Sequence, residues 1–339
     1  MTGPHHARIV AVGSALPERV VPNAYFETLV ETTNDWIVER TGIRERRFAG
    51  PKDTTSTLSA LAAARALDAA GLPPESVDLL IVATCTPDRP LPSTAAFVQA
   101  RLGMSCPAFD LNAACSGFVY GLTVGSAMVG AGQAERVLVI GAEVLSRVLD
   151  MTDRTTCVLF GDGAGAALLE PADEPGLIDS TLALDGSQAD LLTIFAGGTA
   201  EPITPDSVFE RRQFVRMHDG SSVFRQAVVA MAEVCTSLLD KSGFTPRDVD
   251  VLVAHQANIR IIGSVGKRLG IDTDRVVVNI DRVGNTSAAS IPIVLDEAWR
   301  SGRVNPGDLV LMTAFGAGMS WGANLIRWTA PPPPSGGTP

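Results

Sequence analysis

The sequence has 339 residues and a net charge of −10, with 46% hydrophobic and 19% charged residues. This length and composition allow a sizeable core, in two domains or in one large domain with two halves. The acidic balance argues against nucleic-acid binding as a general function, because phosphate backbones require a basic surface. Residues 1–10 have no signal-peptide core, and no stretch approaches the ~18 apolar residues of a membrane span, so we expect no membrane association.

The cysteines are odd in number and far apart, and no Cys-x-x-Cys pair occurs. They are Cys85, Cys106, Cys115, Cys157 and Cys235. This pattern is typical of free thiols in a reduced compartment and does not indicate a disulfide framework or a zinc knuckle. We therefore expect a cytoplasmic protein with no metal site.

Short apolar runs alternate along the chain with Ala-rich amphipathic stretches. The runs that predict buried strands are Val77–Ala83, Arg136–Ile140, Val249–Ala254 and Leu309–Thr313. The stretches that predict helices are Thr57–Ala70, Ser116–Ala131, Ser222–Lys241 and Ile259–Leu269. Continuous apolar strands between helices indicate an α/β fold whose sheets are covered on both faces. The run Gly161–Ala166 predicts a tight turn into a buried strand, because it lacks the G-x-G-x-x-G spacing of a dinucleotide loop.

An internal repeat divides the chain into two similar parts. Residues Gly71–Thr84 match Gly243–Gln256, 172 residues later, and Arg101–Met104 echoes Arg268–Ile271. The simplest interpretation is duplication of a half that contains a βαβ unit; the alternative is that any two βα units look alike.

Two duplicated halves can pack their helices into one shared central layer, which predicts alternating layers of helix and sheet in the order αβαβα. We place the first half at residues 1–175 and the second at residues 176–329. Residues 330–339 are rich in Pro, Gly and Ser, and we expect them to form a disordered tail.

Cys115 follows a strand-like run and opens an Ala- and Gly-rich helix. The unpaired N–H groups and the dipole at a helix start favour a thiolate, so we expect a lowered pKa for Cys115. Gly117 allows close packing, and a backbone N–H beside the sulfur can receive an oxyanion. Because a free cysteine is usually a small buried hydrophobe, this segment alone leaves both interpretations open. The other four cysteines lack this context and predict structural residues.

Histidine is scarce, with four in the chain. His5 and His6 belong to an N-terminus that we expect to be loose, and His218 lies in a polar turn that we expect to be solvated. His255 ends the apolar strand Val249–Ala254. Since the carboxyl ends of buried strands face the ligand crevice in open α/β sheets, His255 is a candidate general base or oxyanion donor. A structural histidine is the weaker alternative.

Two polar turns near the C-terminus carry further candidates. Asn285 lies in Val283–Ser290, before a helix with Pro292 in its first turn. Its amide can cap that helix, which we favour for the residue in isolation, or can hold a developing enolate oxygen. The segment Ala314–Gly322 contains three small residues in a row, which suits either an oxyanion hole or a tight strand connection.

These segments together resemble the β-ketoacyl-acyl carrier protein synthase III family, the initiating condensing enzymes of type II fatty acid synthesis. The resemblance covers Ala7 to Trp328. Its motifs are Thr32–Arg47, Asp110–Phe118, Phe160–Ala166, His255–Arg260, Gly284–Ser290 and Phe315–Gly322. It implies a thiolase-like fold of two duplicated halves and a homodimer.

The resemblance implies a Cys-His-Asn catalytic set. Cys115 would take the acyl group of acyl-CoA as a thioester. His255 and Asn285 would hold the thioester carbonyl of malonyl-acyl carrier protein during its decarboxylation, where two fixed donors stabilise the developing charge. The acyl-Cys oxygen would bind the backbone N–H groups of Cys115 and Ala317. Acyl-CoA is a substrate in this scheme, so we expect no cofactor.

The resemblance also assigns binding residues. The matches to the family's CoA contacts are Thr32, Trp36, Arg40, Arg154 and Asn258. A core tryptophan and solvated arginines are the alternative interpretation. Carrier proteins are acidic, so this acidic chain needs a local basic face. The candidates for that face are Arg225, Arg260, Lys267 and Arg268, although an ordinary solvated helix surface would look the same.

Leu91 lies in the loop that in this family reaches across the dimer to line the partner's acyl pocket. Straight-chain enzymes often have Phe there, so we expect a primer larger than acetyl, such as a branched acyl group. Two other functions fit the same fold. An acyltransferase would move the acyl group to an alcohol or amine, but would not need both His255 and Asn285. A non-catalytic acyl-CoA-binding subunit would be marked by loss of Cys115.

Overall fold

The computed structural model describes residues 6–333. Its strands are β1 (His6–Ala15), β2 (Arg19–Pro22), β3 (Glu45–Phe48), β4 (Leu79–Ala83), β5 (Ala108–Leu111), β6 (Val137–Glu143), β7 (Gly163–Ala172), β8 (Leu177–Leu184), β9 (Leu192–Thr193), β10 (Arg216–Met217), β11 (Val251–Ala254), β12 (Leu309–Gly316) and β13 (Ser320–Arg327). Its α-helices are α1 (Asn23–Glu27), α2 (Asn34–Thr41), α3 (Thr55–Ala70), α4 (Thr94–Leu102), α5 (Gly117–Gly130), α6 (Pro205–Phe209), α7 (Gly220–Ser242), α8 (Ile259–Leu269), α9 (Ile280–Val283) and α10 (Ser290–Arg300).

Two larger sheets organise these elements. The first has the strand order β1-β7-β6-β4-β5 and the second has the order β11-β12-β13-β8. Strand β4 runs parallel to β5 and β6, and β11 runs parallel to β12. The first sheet uses strands from residues 6–172 and the second uses strands from residues 177–327, so the boundary that we placed after residue 175 falls between β7 and β8.

Helices cover both sheets on both faces. Helices α3 and α4 pack on the outer face of the first sheet, α5 and α10 lie between the sheets, and α7 and α8 cover the outer face of the second. A Cβ at Gly121 of α5 would lie 2.8 Å from Cγ1 of Val139 on β6, so the glycine lets the central helix approach the sheet. The predicted α/β class and αβαβα layering are confirmed.

The sequence repeat corresponds to a repeated structural unit. In the first copy, α3 is followed by a 3₁₀ turn at Pro74–Ser76 and then by β4; in the second, α7 is followed by a 3₁₀ turn at Pro246–Asp248 and then by β11. Both helices end at a glycine in the left-handed conformation, Gly71 with φ 67° and Gly243 with φ 77°. The matched glycines of the repeat are therefore helix caps.

Helix α7 is the one helix in residues 6–333 that is long and apolar enough, by length and composition, to cross a membrane. It packs against β12, β13 and α8, and eight of its residues are buried, including Met231, Cys235 and Leu238. Its apolar face is therefore part of the core of the second half.

Both ends of the described chain are more ordered than the sequence predicts. His6 begins β1 and pairs with Ala172, so its assignment to a loose terminus is wrong, while His5 lies outside the described residues. Ala330 is buried, and the indole N–H of Trp299 donates to the carbonyl of Pro331 at 2.9 Å. Packing thus extends beyond residue 329, where we placed the start of the tail; residues 334–339 are outside the described part.

Candidate active site

Cys115 lies in a 3₁₀ turn, Ala114–Ser116, between β5 and the first residue of α5. The residue before it, Ala114, has a φ of 46°, in the region that non-glycine residues rarely adopt. The end of β12 covers the turn, since a Cβ at Gly316 would lie 2.7 Å from the backbone nitrogen of Cys115. Glycine at 316 therefore allows the second half of the chain to close over the sulfur.

His255 directly follows β11, as the sequence predicts, and is buried. Its backbone N–H donates to the carbonyl of Thr313 at 2.8 Å, which ties it to β12. Its Nδ1 lies 2.6 Å from Oγ of Ser290. One ring nitrogen is thus held by the protein, and Nε2 remains for a ligand.

Asn285 is fixed on both sides of its backbone and at its side-chain oxygen. Its N–H donates to the carbonyl of Leu159, and its carbonyl accepts from the N–H of Gly161, each at 2.9 Å. Its Oδ1 accepts from the backbone N–H of Ser287 at 2.9 Å. Because the oxygen is already bonded within the turn, the side-chain amide nitrogen is the group left to donate to a ligand.

Two cavities meet at Cys115. The first, which we call the histidine cavity, has a volume of about 140 Å³ and is lined by Cys115, His255 and Asn285 among others. The second, which we call the apolar cavity, has a volume of about 550 Å³ and extends past Tyr120 and Val215. Cys115 is common to both, so the three predicted catalytic side chains share one cavity and the sulfur also faces a second.

Burial dominates the ionisation of the site. It raises the pKa of the Cys115 thiol to about 11 and lowers the pKa of His255 to about 3. Our expectation of a lowered pKa for Cys115 is therefore wrong. The helix start is present, but removal from water outweighs it, and both groups are uncharged near neutral pH.

The two expected oxyanion donors lie beside the sulfur. The backbone N–H groups of Cys115 and Ala317 both act on the thiol and lower its pKa, although less than burial raises it. Ala317 opens a 3₁₀ turn directly after β12, at the end of the small-residue run that the sequence indicates. Both N–H groups are thus supplied by chain turns that already face the nucleophile.

The residues matched to CoA contacts form a cluster outside the histidine cavity. The ring of Trp36 lies between two guanidinium groups, with Cζ of Arg154 4.9 Å and Cζ of Arg40 5.8 Å from the ring centroid. Asn258 caps α8, donates to the carbonyl of Arg40 at 2.9 Å and also lines the histidine cavity. Thr32 is half-buried four residues before Trp36, and its hydroxyl has no partner among residues 6–333.

The four basic candidates are all exposed. Arg225 lies on α7, and Arg260, Lys267 and Arg268 lie on α8. The guanidinium of Arg260 lies 5.5 Å from the ring of Phe224, which lines the histidine cavity, so Arg225 and Arg260 are near the cavity. Lys267 and Arg268 are about two helical turns further along α8.

Leu91 has a large exposed fraction, 84%, and is not among the residues that line either cavity. Within a single chain it therefore does not limit the apolar cavity. His218 is exposed in a bend, as expected. All five cysteines are free, and no group of three possible metal-ligating side chains occurs in residues 6–333.

The structure adds three residues that the sequence did not single out. Glu143, at the end of β6, is fully buried and bonds to Cys85 and to the hydroxyl of Ser287. Cys85 and Ser287 line the apolar cavity together with Cys115. Cys85, which we expected to be structural, thus lines the same cavity as the nucleophile. The rule that selected His255, a polar residue at the carboxyl end of a buried strand, also applies to Glu143 and could have found it.

Comparison with known proteins agrees with this architecture. Residues 109–186 match the family model 3-oxoacyl-[acyl-carrier-protein] synthase III, and residues 239–328 match the model of its C-terminal part. A β-ketoacyl-[acyl-carrier-protein] synthase III from Roseiflexus sp. (strain RS-1) is 50% identical over 328 residues, covering 96% of this chain and 99% of the relative.

Solved structures give the same result. The 3-oxoacyl-[acyl-carrier-protein] synthase III from Aquifex aeolicus is 43% identical with a TM-score of 0.87, covering 95% of this chain and all of that one (100%). The priming β-ketosynthase of a polyketide biosynthetic pathway is 36% identical with a TM-score of 0.90, covering 98% and 99% of the two chains. This chain belongs to the β-ketoacyl-[acyl-carrier-protein] synthase III family.

Proposed function

We propose that the protein transfers an acyl group from acyl-CoA to Cys115 and then condenses it with malonyl-acyl carrier protein to form a 3-ketoacyl-acyl carrier protein. The observation that carries the proposal is the position of Cys115 at the junction of two cavities, one of which contains His255 and Asn285. The proposal covers initiation of fatty acids or of polyketides, since synthases described for both are similar to this chain.

In the first half-reaction, the sulfur of Cys115 attacks the thioester carbonyl of acyl-CoA. The carbonyl oxygen becomes negative and binds the N–H groups of Cys115 and Ala317, which already act on the sulfur. The CoA thiolate then leaves and takes a proton, and the acyl chain remains in the apolar cavity. CoA is the carrier of the substrate, so the scheme requires no separate cofactor.

In the second half-reaction, malonyl-acyl carrier protein enters the histidine cavity. Loss of carbon dioxide converts the thioester carbonyl into an enolate, whose oxygen binds Nε2–H of His255 and the amide nitrogen of Asn285. The enolate carbon attacks the acyl-Cys carbonyl, and the sulfur of Cys115 departs as a thiolate that takes up a proton from solvent. A neutral imidazole supplies this hydrogen bond, and burial keeps His255 neutral by lowering its pKa to about 3.

The substrate contacts are part of the same proposal. The ring of Trp36 would bind the CoA adenine after the guanidinium of Arg40 or Arg154 moves away from it. Asn258 connects this cluster to the histidine cavity and would contact the pantetheine arm. Exposed Arg225, Arg260, Lys267 and Arg268 would receive the acidic carrier protein.

We also propose a homodimer. Its support is the exposed apolar side chain of Leu91 on a loop that does not contact the chain's own cavities. The family resemblance implies that this loop reaches across the dimer, where a second copy would cover the side chain. Sedimentation of the purified protein should give twice the mass of one chain.

Intact-protein mass spectrometry tests the first half-reaction. Incubation with an acyl-CoA should add one acyl group to the protein, and Cys115→Ser should abolish or greatly slow this addition. A wild-type protein that binds acyl-CoA without forming the adduct would favour a non-catalytic binding subunit. An adduct that passes only to alcohols or amines, with no carbon–carbon bond formed, would favour an acyltransferase.

A further inference from the structure

Glu143 is a buried carboxyl next to the nucleophile that the scheme above does not use. Its Oε1 accepts hydrogen bonds from the thiol of Cys85 and the hydroxyl of Ser287, each at 3.2 Å. Its Oε2 accepts from the hydroxyl of Thr86 at 2.5 Å and from that of Thr84 at 3.3 Å. No ion pair with Glu143 occurs among residues 6–333.

Burying a carboxyl in this environment lowers the stability of the fold, so a purely structural group is not expected here. A buried carboxylate without a cation loses its hydration and regains only neutral hydrogen bonds, so burial raises the pKa of Glu143. An apolar side chain of similar size would fill the same space at lower cost. A buried titratable group beside a reactive side chain is therefore a candidate for proton transfer.

Ser287 connects this carboxyl to the nucleophile. Its hydroxyl donates its one proton to Oε1 of Glu143 at 3.2 Å, so its oxygen can accept a proton from the thiol of Cys115, which lines the same cavity. Its backbone has a φ of 50°, in the left-handed region, and its N–H is bonded to Oδ1 of Asn285. These bonds thus hold Ser287 in a sterically unfavourable conformation that directs its hydroxyl to Glu143, at the cavity that Cys115 also lines.

The first half-reaction needs a proton acceptor, because the thiol of Cys115 is protonated at neutral pH. His255 is poorly suited to this task, since burial lowers its pKa to about 3 and its Nδ1 is bonded to Ser290. The other titratable side chains that line the two cavities are Cys85 and Tyr120, whose pKa values are both raised by burial.

We propose that Glu143 accepts, through the hydroxyl of Ser287, the proton that Cys115 loses when it attacks the acyl thioester. As the new S–C bond forms, the thiol proton passes to Oγ of Ser287, and the hydroxyl proton passes to Oε1 of Glu143. When the bond to the CoA sulfur breaks, the proton passes back from Glu143 through the hydroxyl of Ser287 to the departing thiolate, which leaves Glu143 ionised. This inference rests on the proposed acyl transfer to Cys115.

The pH dependence of acylation distinguishes this relay from simple ionisation of the thiol. With the relay, the single-turnover rate with acyl-CoA should reach a plateau once Glu143 is ionised and stay level until the pH approaches the pKa of the thiol, about 11. In Glu143→Gln and Ser287→Ala the thiol must ionise directly, so the rate should rise about tenfold per pH unit in this range. At pH 7 both variants should acylate roughly 100-fold more slowly, the usual size of general-base catalysis.

The second half-reaction provides an internal control. Protein acylated beforehand at high pH should condense with malonyl-carrier protein at near wild-type rate in Ser287→Ala, because the backbone N–H that holds Asn285 is retained. Ser287→Gly removes the same hydroxyl without strain at positive φ and should behave alike.

Asp162→Asn is a matched control for Glu143→Gln. Asp162 is also buried and bonded to a serine, Ser146, but lies outside both cavities. Its acylation rate should stay level with pH, as in the wild type.

Two results would overturn the relay. One is a Glu143→Gln protein that acylates at the wild-type rate, with a rate that does not change with pH. The other is an equal loss of acylation and condensation in the Glu143 and Ser287 variants, which would indicate a structural contribution only. Failure of the wild-type protein to acylate would instead contradict the proposed function itself.

Discussion

Nδ1 of His255 lies 2.6 Å from Oγ of Ser290, the first residue of α10. The backbone N–H of Gln256 points to the same oxygen at 3.4 Å, so the serine hydroxyl can donate its own proton to Nδ1. The remaining imidazole proton is then on Nε2. This tautomer makes His255 a donor toward the cavity that it shares with Cys115 and Asn285.

Replacing Ser290 with alanine should slow condensation while leaving acylation of Cys115 nearly unchanged. The buried ring loses a hydrogen bond worth about 1–2 kcal/mol and is no longer held in one tautomer, so we expect a roughly tenfold decrease. Rapid-quench measurement of each half-reaction separates the two effects. Ser264→Ala is the control, since Ser264 is half-buried on α8 and its hydroxyl bonds to the carbonyl of Arg260. An unchanged condensation rate in Ser290→Ala would show that the serine does not orient the ring.

Burial of His255 makes the folded protein sensitive to acid. Its pKa is about 6.5 when unfolded and about 3 when folded, so between these values the unfolded chain binds the extra proton. This contribution to stability is present above pH 6.5 and is lost as the pH falls toward 3, by at most about 1.4 kcal/mol per unit. Urea unfolding across this range should give a free energy of unfolding that depends less on pH in His255→Gln than in the wild type. The same pH dependence in both proteins would contradict a neutral buried imidazole.

Trp36→Ala should raise the KM for acyl-CoA without a comparable change in kcat. Loss of a ring that would lie against the adenine in the proposed complex removes about 0.5–2 kcal/mol, which corresponds to roughly a 2- to 30-fold increase. An acyl thioester of N-acetylcysteamine lacks the nucleotide, so its kinetics should not change. Equal effects on both substrates would place Trp36 in the core and not in the nucleotide site.

Arg260→Glu should raise the KM for malonyl-carrier protein several-fold and weaken its dependence on salt. Arg260 is exposed beside Phe224, at the histidine cavity, where a reversed charge repels an acidic partner. Lys52→Glu makes the same change of charge at another exposed position. If Lys52→Glu weakens carrier-protein binding as much as Arg260→Glu does, net charge and not a local basic face governs docking.

Leu91→Phe should narrow the range of primers. The apolar cavity, at about 550 Å³, has room for more than an acetyl group, and Leu91 would border it from the partner subunit. Rates with acetyl-, isobutyryl- and hexanoyl-CoA should shift toward acetyl in Leu91→Phe, and Leu91→Ala should not restrict the larger primers. If the relative rates with the three primers are unchanged in Leu91→Phe, this residue does not select the primer.

Much of the fold follows from local sequence patterns. The apolar runs and the Gly-capped repeat predicted β4, β11 and the helices that precede them, and the duplication predicted the layers. His255 could be selected because its position after a buried strand is visible in the sequence.

The ionisation of the site could not be predicted in the same way. Burial of Cys115 depends on Gly316, about 200 residues later, which lets β12 close over the sulfur. The position of Glu143 at the end of β6 is visible in the sequence, but its contacts are not, because Cys85, Glu143 and Ser287 come from three separate segments and no local pattern indicates that they meet. Contacts between distant segments set both the pKa values and the proposed proton path.

The central claim is that a carbon–carbon bond forms at Cys115 with help from His255 and Asn285. The most direct measurement is mass-spectrometric analysis of the carrier protein after reaction with an acyl-CoA and malonyl-carrier protein. We predict a 3-ketoacyl group on the carrier protein in the wild type, and in His255→Ala and Asn285→Ala an acylated Cys115 with little or no such product. A wild-type enzyme that acylates Cys115 but never extends the malonyl unit, or variants that condense at the wild-type rate, would contradict the account.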